Sequence, residues 1–370
     1  MLLKLAVTFA IAFLASLALT PVARFWARRV DAVDRPSDTR KRHGRPVPLL
    51  GGAAVAGALT AAMLALLAFG WLPGEHILAK YVYGLIAAAF ILAVGGALDD
   101  RYSLKPYQQL VWPVLAVAAI VVSGIGVSYI TNPLGGLVYL DSYMVTVLWW
   151  DGLPYRLTLL ADIFTVVWLM GMTYTTKTLD GLDGLVSGLA VIGGLVIAAV
   201  SMMREVSQPD TALLALAVAG VFAGFLVFNV HPASIFLGEG GATIAGFLLG
   251  VLAIVSGGKI ATALLILGLP IFDLAAVIVR RVASGKSWAV GDRSHLHFLL
   301  VDAGYNPRHV VAMYWFLAAL FGVSTLMLRG SAKVVAIGVI LSVLLAALAG
   351  TLILRKRRTA PDAPDEARHG

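Results

Sequence analysis

The sequence predicts an all-α polytopic membrane protein, and three observations carry that reading. Of its 370 residues 60% are hydrophobic, only 13% are charged, and the mean hydropathy is +0.90. Soluble domains average about 45–50% apolar and about 25% charged residues, so a soluble globular protein and a disordered chain are both excluded. An outer-membrane barrel is excluded too, because barrel strands alternate apolar with polar residues and give no long apolar runs. The absence of cysteine removes disulfides, thiolate nucleophiles and zinc–thiolate or iron–sulfur sites. The net charge of +8 does not call for nucleic acid, since Lys and Arg gather in the cytoplasmic loops of membrane proteins.

A spanning helix needs about 20 mostly apolar residues. Eleven runs qualify, at about 3–23, 50–72, 81–98, 107–127, 159–176, 184–203, 211–229, 241–256, 259–279, 309–328 and 332–354. The first is too long for a removable signal peptide and lacks a small-residue cleavage site, so it counts as a span. With eleven spans, 21 of the 28 Lys and Arg residues fall on one side, including Arg24 to Arg45, Arg280, Arg281 and the cluster Arg355 to Arg358. The positive-inside rule then sets the N-terminus outside and the C-terminus in the cytoplasm. Residues 1–354 read as one transmembrane domain without internal repeats. Within it, the outer loop 127–158 carries short aromatic and β-branched runs around Asp151-Gly152, the signature of a β-hairpin. The loop at 281–308 is a cytoplasmic His/Arg segment, and the tail 355–370 reads as disordered.

Five polar segments gather on the predicted inner face. The first holds Asp34-x-Pro36, then Arg40, Lys41 and His43, then Pro46-x-Pro48 and Gly51-Gly52. Alone, it could be no more than a basic topology signal. The second is Asp99-Asp100, directly after an apolar run. Aspartate near a membrane is costly, so an adjacent pair asks for a cation or a proton-transfer role, with a helix cap paired to Arg101 as the plainer reading. Third is Asp180-Gly-Leu-Asp183-Gly184. If helical, its two carboxylates share a face, and its glycines let a ligand approach the backbone. Fourth is Asn229 with Gly238-Glu239, which could also be an ordinary turn. Fifth is Asp292-Arg293-Ser-His295-Leu-His297, a basic cradle suited to phosphate. Carboxylates mixed with basic groups on one face suit two phosphorylated substrates and an inline phosphoryl transfer. A transporter using the same residues is the rival, but its key groups belong near the midplane and with repeat symmetry.

Taken together and in this order, the five segments resemble the polyprenyl-phosphate N-acetylhexosamine-1-phosphate transferases over about residues 20 to 310. The resemblance implies transfer of a sugar-1-phosphate from a UDP-N-acetylhexosamine to undecaprenyl phosphate, with Mg²⁺, at the cytoplasmic face of the cell membrane. The final loop is more similar to the UDP-N-acetylglucosamine branch than to the phospho-MurNAc-pentapeptide branch, whose triple-histidine-plus-glutamate signature is missing. Asp99 or Asp100 is then expected to deprotonate or position the lipid phosphate. Asp180, Asp183 and Gly184 fall on the nucleotide side, and Arg293, His295 and His297 on the diphosphate. Arg40, Lys41, His43, Lys177 and Asn229 join them as substrate-binding residues, and a homodimer is compatible with all of this.

Two positions depart from the family pattern, Lys177 where Asn is usual and Glu239 where Asp is usual, and the resemblance places both in the magnesium site with Asp183. A Lys ammonium beside a divalent ion is repelled strongly in a partly desolvated cleft. Lys177 could therefore turn to the diphosphate while Glu239 reaches the ion, or pair with Glu239 and neutralise the diphosphate itself. Mg²⁺ is the cofactor expected, by way of the first arrangement.

Overall fold

A computed structural model describes residues 1–35, 46–131, 136–142, 144–150, 153–257, 260–283 and 295–328, with a few positions up to 342. Arg40, Lys41, His43, Arg293, the Asp151-Gly152 turn, most of the run 332–354 and the tail 355–370 lie outside the described residues.

The chain is helical, as its composition requires. Helix α1 (Leu2–Arg29) leads through the short antiparallel pair β1 (Val33–Asp34) and β2 (Val47–Pro48) into α2 (Gly51–Ala68). Helices α3 (Ala79–Tyr102) and α4 (Pro106–Ser123) follow. The segment expected to hold one hairpin forms two antiparallel pairs. One joins β3 (Tyr129–Thr131) to β4 (Leu137–Tyr139), and the other joins β5 (Met144–Trp150) to β6 (Leu153–Thr158) on either side of 151–152. The rest comprises α5 (Leu159–Leu179), α6 (Leu185–Ser201), α7 (Pro209–Asn229), α8 (Gly238–Val255), α9 (Ile260–Ile266), α10 (Gly268–Ala283), α11 (Leu296–Asp302) and α12 (Pro307–Met327).

Among the described residues, eight helices are long and apolar enough to cross a membrane: α1 to α5, α7, α8 and α12. Two of the eleven predicted runs differ in kind. The run at 184–203 is a 17-residue helix, α6. The run at 259–279 is not one straight span, because α9 and α10 meet at a 79° bend. Its cause is local: Pro270, just inside α10, has no N–H to continue the ladder from α9, and Gly268 at the junction relaxes the backbone.

Helix α8 is buried almost all round, against α2, α3, α5 and α6. Its glycines allow this. A Cβ on Gly96 of α3 would fall on the Gly240 backbone, and one on Gly52 of α2 would lie 2.5 Å from Gly241 N. Small residues at such crossings bring backbones together where lipid offers no hydrophobic driving force. A buried hydroxyl also ties two helices together: Thr176 Oγ1 donates across to Ala242 O on α8 (2.7 Å). Large apolar side chains such as Phe90, Val122, Val167 and Phe316 stay exposed on the peripheral helices, the surface that lipid covers.

Candidate active site

One end of the bundle gathers the C-termini of α1, α3, α5 and α7 with the N-termini of α2, α4, α6 and α8. Backbone hydrogen bonds lock two of its connections together. Phe236 N–H donates to Pro48 O (2.9 Å), Gly51 N–H to Phe236 O (3.2 Å) and Gly52 N–H to Leu237 O (2.8 Å). Between these connections lies a cavity of about 400 Å³.

Each polar segment reaches this cavity from a different element. Asp100, in the last turn of α3, accepts from Glu239 N–H at the start of α8 (3.1 Å). Gly238 makes that approach possible, at φ +66° with the Asp100 carboxylate where a Cβ would stand. Asp99 points the other way. It is buried, and its Oδ1 accepts from Leu104 N–H (2.7 Å) and Gln109 Nε2 (3.0 Å). The adjacent pair is thus divided, with Asp100 lining the cavity and Asp99 bracing the α3–α4 connection.

Residues 180–184 are a turn rather than helix. Gly184 sits at φ +78°, a conformation that ends the helical ladder and starts α6 afresh. Asp180 and Asp183 therefore reach the cavity from a loop, not from one helical face. Asp183 Oδ2 accepts from Ala233 N–H (3.0 Å) and lies 2.7 Å from His231 Nδ1. Burial pushes the Asp180 carboxyl up to about 8, reinforced by the negative charges of Glu239 and Asp183. Asn229 joins the two loops: its Oδ1 accepts from Gly184 N–H (3.2 Å) and Ser187 Oγ (2.7 Å), and its Nδ2 donates to Ile235 O (3.0 Å). Although Asn229 borders the cavity, its amide is engaged by the protein.

Lys177 Nζ donates to Gln109 Oε1 (2.8 Å) and lies 2.9 Å from Glu239 Oε2. The two departures from the family pattern thus face each other as an ion pair. Glu239 Oε2 is nevertheless buried without an aligned hydrogen-bond donor. The contact is close in distance but poor in direction.

His295 and His297 are not among the cavity's lining residues. His295 Nδ1 lies 3.0 Å from Asp273 Oδ2 of α10, and Leu296 N–H donates to the same carboxylate (2.8 Å). His297 is fully buried behind the 180–184 turn, where a Cβ on Gly181 would come 2.8 Å from its Nε2. Four residues of this end were not assigned from sequence: Gln109, Asp273 and, as lining residues, Asp34 and His231. Asp34 and His231 stood within the first and fourth polar segments without a role assigned to either. Gln109 lies inside a helical run that carries no local signal, whereas Asp273 had one, a carboxylate inside the apolar run 259–279.

Among the described lining residues, five carboxylates (Asp34, Asp100, Asp180, Asp183 and Glu239) stand with one Lys and one His. Such hard oxygen donors suit a divalent cation of the magnesium kind. No three of them converge as a ligand cluster among the described residues, which matches an ion held by one or two carboxylates together with substrate phosphates and water. The residues present fit the group on that basis.

Fold and site together define a polytopic membrane protein with an acid-lined cleft at one end of its helical bundle. A family model, Glycosyl transferase family 4, matches residues 82–257. Over 335 residues the chain is 29% identical to a probable undecaprenyl-phosphate N-acetylglucosaminyl 1-phosphate transferase of Bacillus subtilis, covering 89% of this chain and 86% of the relative. It is also 29% identical, over 309 residues, to the undecaprenyl-phosphate alpha-N-acetylglucosaminyl 1-phosphate transferase of Escherichia coli K12, covering 80% and 77%. The decaprenyl-phosphate N-acetylglucosaminephosphotransferase of Mycobacterium leprae matches at 29% over 321 residues, covering 78% and 75%. The likeness of this chain is thus to glycosyl transferase family 4 and to its N-acetylglucosamine-phosphate transferases.

Proposed function

We propose that the protein transfers N-acetylglucosamine-1-phosphate from its UDP-sugar to undecaprenyl phosphate and releases UMP. The observation that carries this is the convergence of five carboxylates and Lys177 on one cleft at the end of an apolar bundle. The names of the curated relatives fit the same acceptor and sugar, and they are not those of the pentapeptide branch. A cleft at the end of the bundle is open to a lipid acceptor from the side and a soluble nucleotide from outside the membrane. The distribution of Lys and Arg puts that end on the cytoplasmic side of the plasma membrane.

In the reaction an oxygen of the polyprenyl phosphate attacks the β-phosphorus of the UDP-sugar. A new anhydride forms, the bond between the α- and β-phosphates breaks, and UMP carries away the electron pair. The nucleophile's second ionisation lies near pH 6, so the protein needs chiefly to position it. Asp100 is the member of the pair that faces the cleft, where it orients the acceptor phosphate and holds any remaining proton. Asp99 positions it by fixing the end of α3. Asp180 and Asp183 would hold a divalent cation, which when bound offsets the diphosphate's negative charge. His297 acts from behind the 180–184 turn, and His295, held by Asp273 and stacked on His297, fixes the start of α11.

Membranes containing the protein, given undecaprenyl phosphate and UDP-N-acetylglucosamine, should release UMP. Asp100→Ala is expected to lower that rate by about 100-fold, the usual scale for a positioned carboxylate. If Asp99→Ala and Asp100→Ala both leave the rate intact, the assignment is wrong.

A further inference from the structure

We propose that Lys177, held by Gln109 and Glu239, is a built-in cation for the diphosphate of the nucleotide-sugar, and that it lets the protein capture the nucleotide without a divalent ion. The inference rests on the function proposed above. It concerns what holds the donor's charge.

The argument starts from how Lys177 is held. Its side chain keeps 18% of its surface exposed, at the border of the cavity. An ammonium has three donors. One is aligned on Gln109 Oε1, while Glu239 Oε2, at 2.9 Å, lacks an aligned donor. Donors therefore remain for an incoming oxygen anion.

Gln109 has no freedom to turn away. Its Nε2 donates to Asp99 Oδ1 and to Leu104 O, both at 3.0 Å, so its Oε1 is committed to the ammonium. Asp99 is itself pinned by Leu104 N–H. The holding group nearest the ammonium is thus a neutral amide anchored to the α3–α4 backbone. A neutral holder fixes the position of a cation without consuming its charge. Glu239, the charged partner, lies 2.9 Å away, and a turn of the ammonium's remaining donors from it to phosphate oxygens leaves Gln109 undisturbed. Charge-assisted hydrogen bonds of this kind are about twice as strong as neutral ones. Gln109 is accordingly a positioning residue, and Lys177 the group that touches substrate.

The test is nucleotide binding to the purified full-length protein in detergent, by calorimetry, with UDP and uridine as probes, in chelator and then in Mg²⁺. The protein should bind UDP in chelator, and more tightly than uridine. Lys177→Met should weaken UDP in chelator by at least about tenfold, the value of one hydrogen bond to a charged group, with Mg²⁺ restoring much of it. Lys177→Arg, which keeps the charge, should retain chelator-resistant binding. Gln109→Met should weaken UDP in chelator while leaving uridine unchanged, whereas a merely structural role would weaken both. Loss of UDP binding to the unaltered protein in chelator, with recovery in Mg²⁺, overturns the inference and leaves the proposed function standing. Undiminished UDP binding by Lys177→Met in chelator overturns it as well. Failure to bind UDP or uridine under either condition sinks the proposed function, and the inference with it.

Discussion

Replacing Asn229 with alanine separates the two roles this residue could have. Its amide is 3% exposed and makes three hydrogen bonds that join the 180–184 turn to the α7–α8 connection. Asn229→Ala would leave Gly184 N–H, Ser187 Oγ and Ile235 O without these partners, and Ser187 is fully buried. Each orphaned group costs about 1–3 kcal/mol, so the sum over three groups is on the order of 3–9 kcal/mol, a large share of any protein's stability. Because the turn carries Asp180 and Asp183, activity should fall along with stability. The assay is a thermal midpoint in detergent paired with UMP release at varied UDP-sugar. A lower midpoint and a lower kcat are expected together. Should the midpoint stay unchanged while only KM for the UDP-sugar rises, the amide contacts substrate and the bracing argument fails.

Three further outcomes are expected. Gly96→Ala should abolish stable folding, because its Cβ meets the Gly240 backbone, while Gly171→Ala, with open space around it, should be neutral or stabilise α5 by up to about 1 kcal/mol; recovery of monodisperse protein in detergent distinguishes the two. Burial raises the pKa of Asp180 in the folded protein to about 8, from 3.8 for an ordinary aspartate. The folded state thus keeps a proton that the unfolded chain has lost, and metal-free stability should fall between about pH 4 and pH 8 and level off above; thermal midpoints in chelator should show that limb flattened in Asp180→Asn. Asp210, at the start of α7, accepts from the backbone N–H groups of His76 (2.6 Å), Ile77 (2.8 Å) and Thr211 (3.0 Å). Asp210→Ala should cost about 3 kcal/mol of stability yet leave KM for the UDP-sugar unchanged in the protein that remains folded.

Membrane architecture was legible in the sequence because composition and run length follow directly from the cost of exposing backbone to lipid. The polar segments were legible for the same reason, since carboxylates such as Asp100 and Asp183 are too costly beside apolar runs to be incidental. Direction was not legible. Asp99 and Asp100 are neighbours in the chain and part company only because Gly238 admits one carboxylate while Leu104 N–H and Gln109 claim the other. The 180–184 segment has spacing compatible with one helical face, but the positive φ of Gly184 overrides it. Gln109 was invisible because its importance is tertiary: nothing in α4 announces that α5 will place an ammonium 2.8 Å away. The bend between α9 and α10 did have a signal, Gly268-Leu-Pro270, which counting apolar residues passes over.

The backbone lock between residues 48–52 and 236–237 has a consequence for how this cleft can change by mutation. Since the hydrogen bonds of Phe236, Gly51 and Gly52 are made by main-chain atoms, the half-buried Leu49 and Leu50 are free to vary without moving the frame, whereas Gly51 and Gly52 are not, because a Cβ on either would fall against the facing backbone. Length is not free. Losing or gaining one residue in either strip shifts every N–H past its carbonyl, and a proline at 236 removes a donor outright. The two strips are therefore expected to accept substitution at positions such as Leu49 and Leu50, keep their glycines, and refuse insertion, so that a lineage can retune the chemistry of the cleft while its spacing stays inherited.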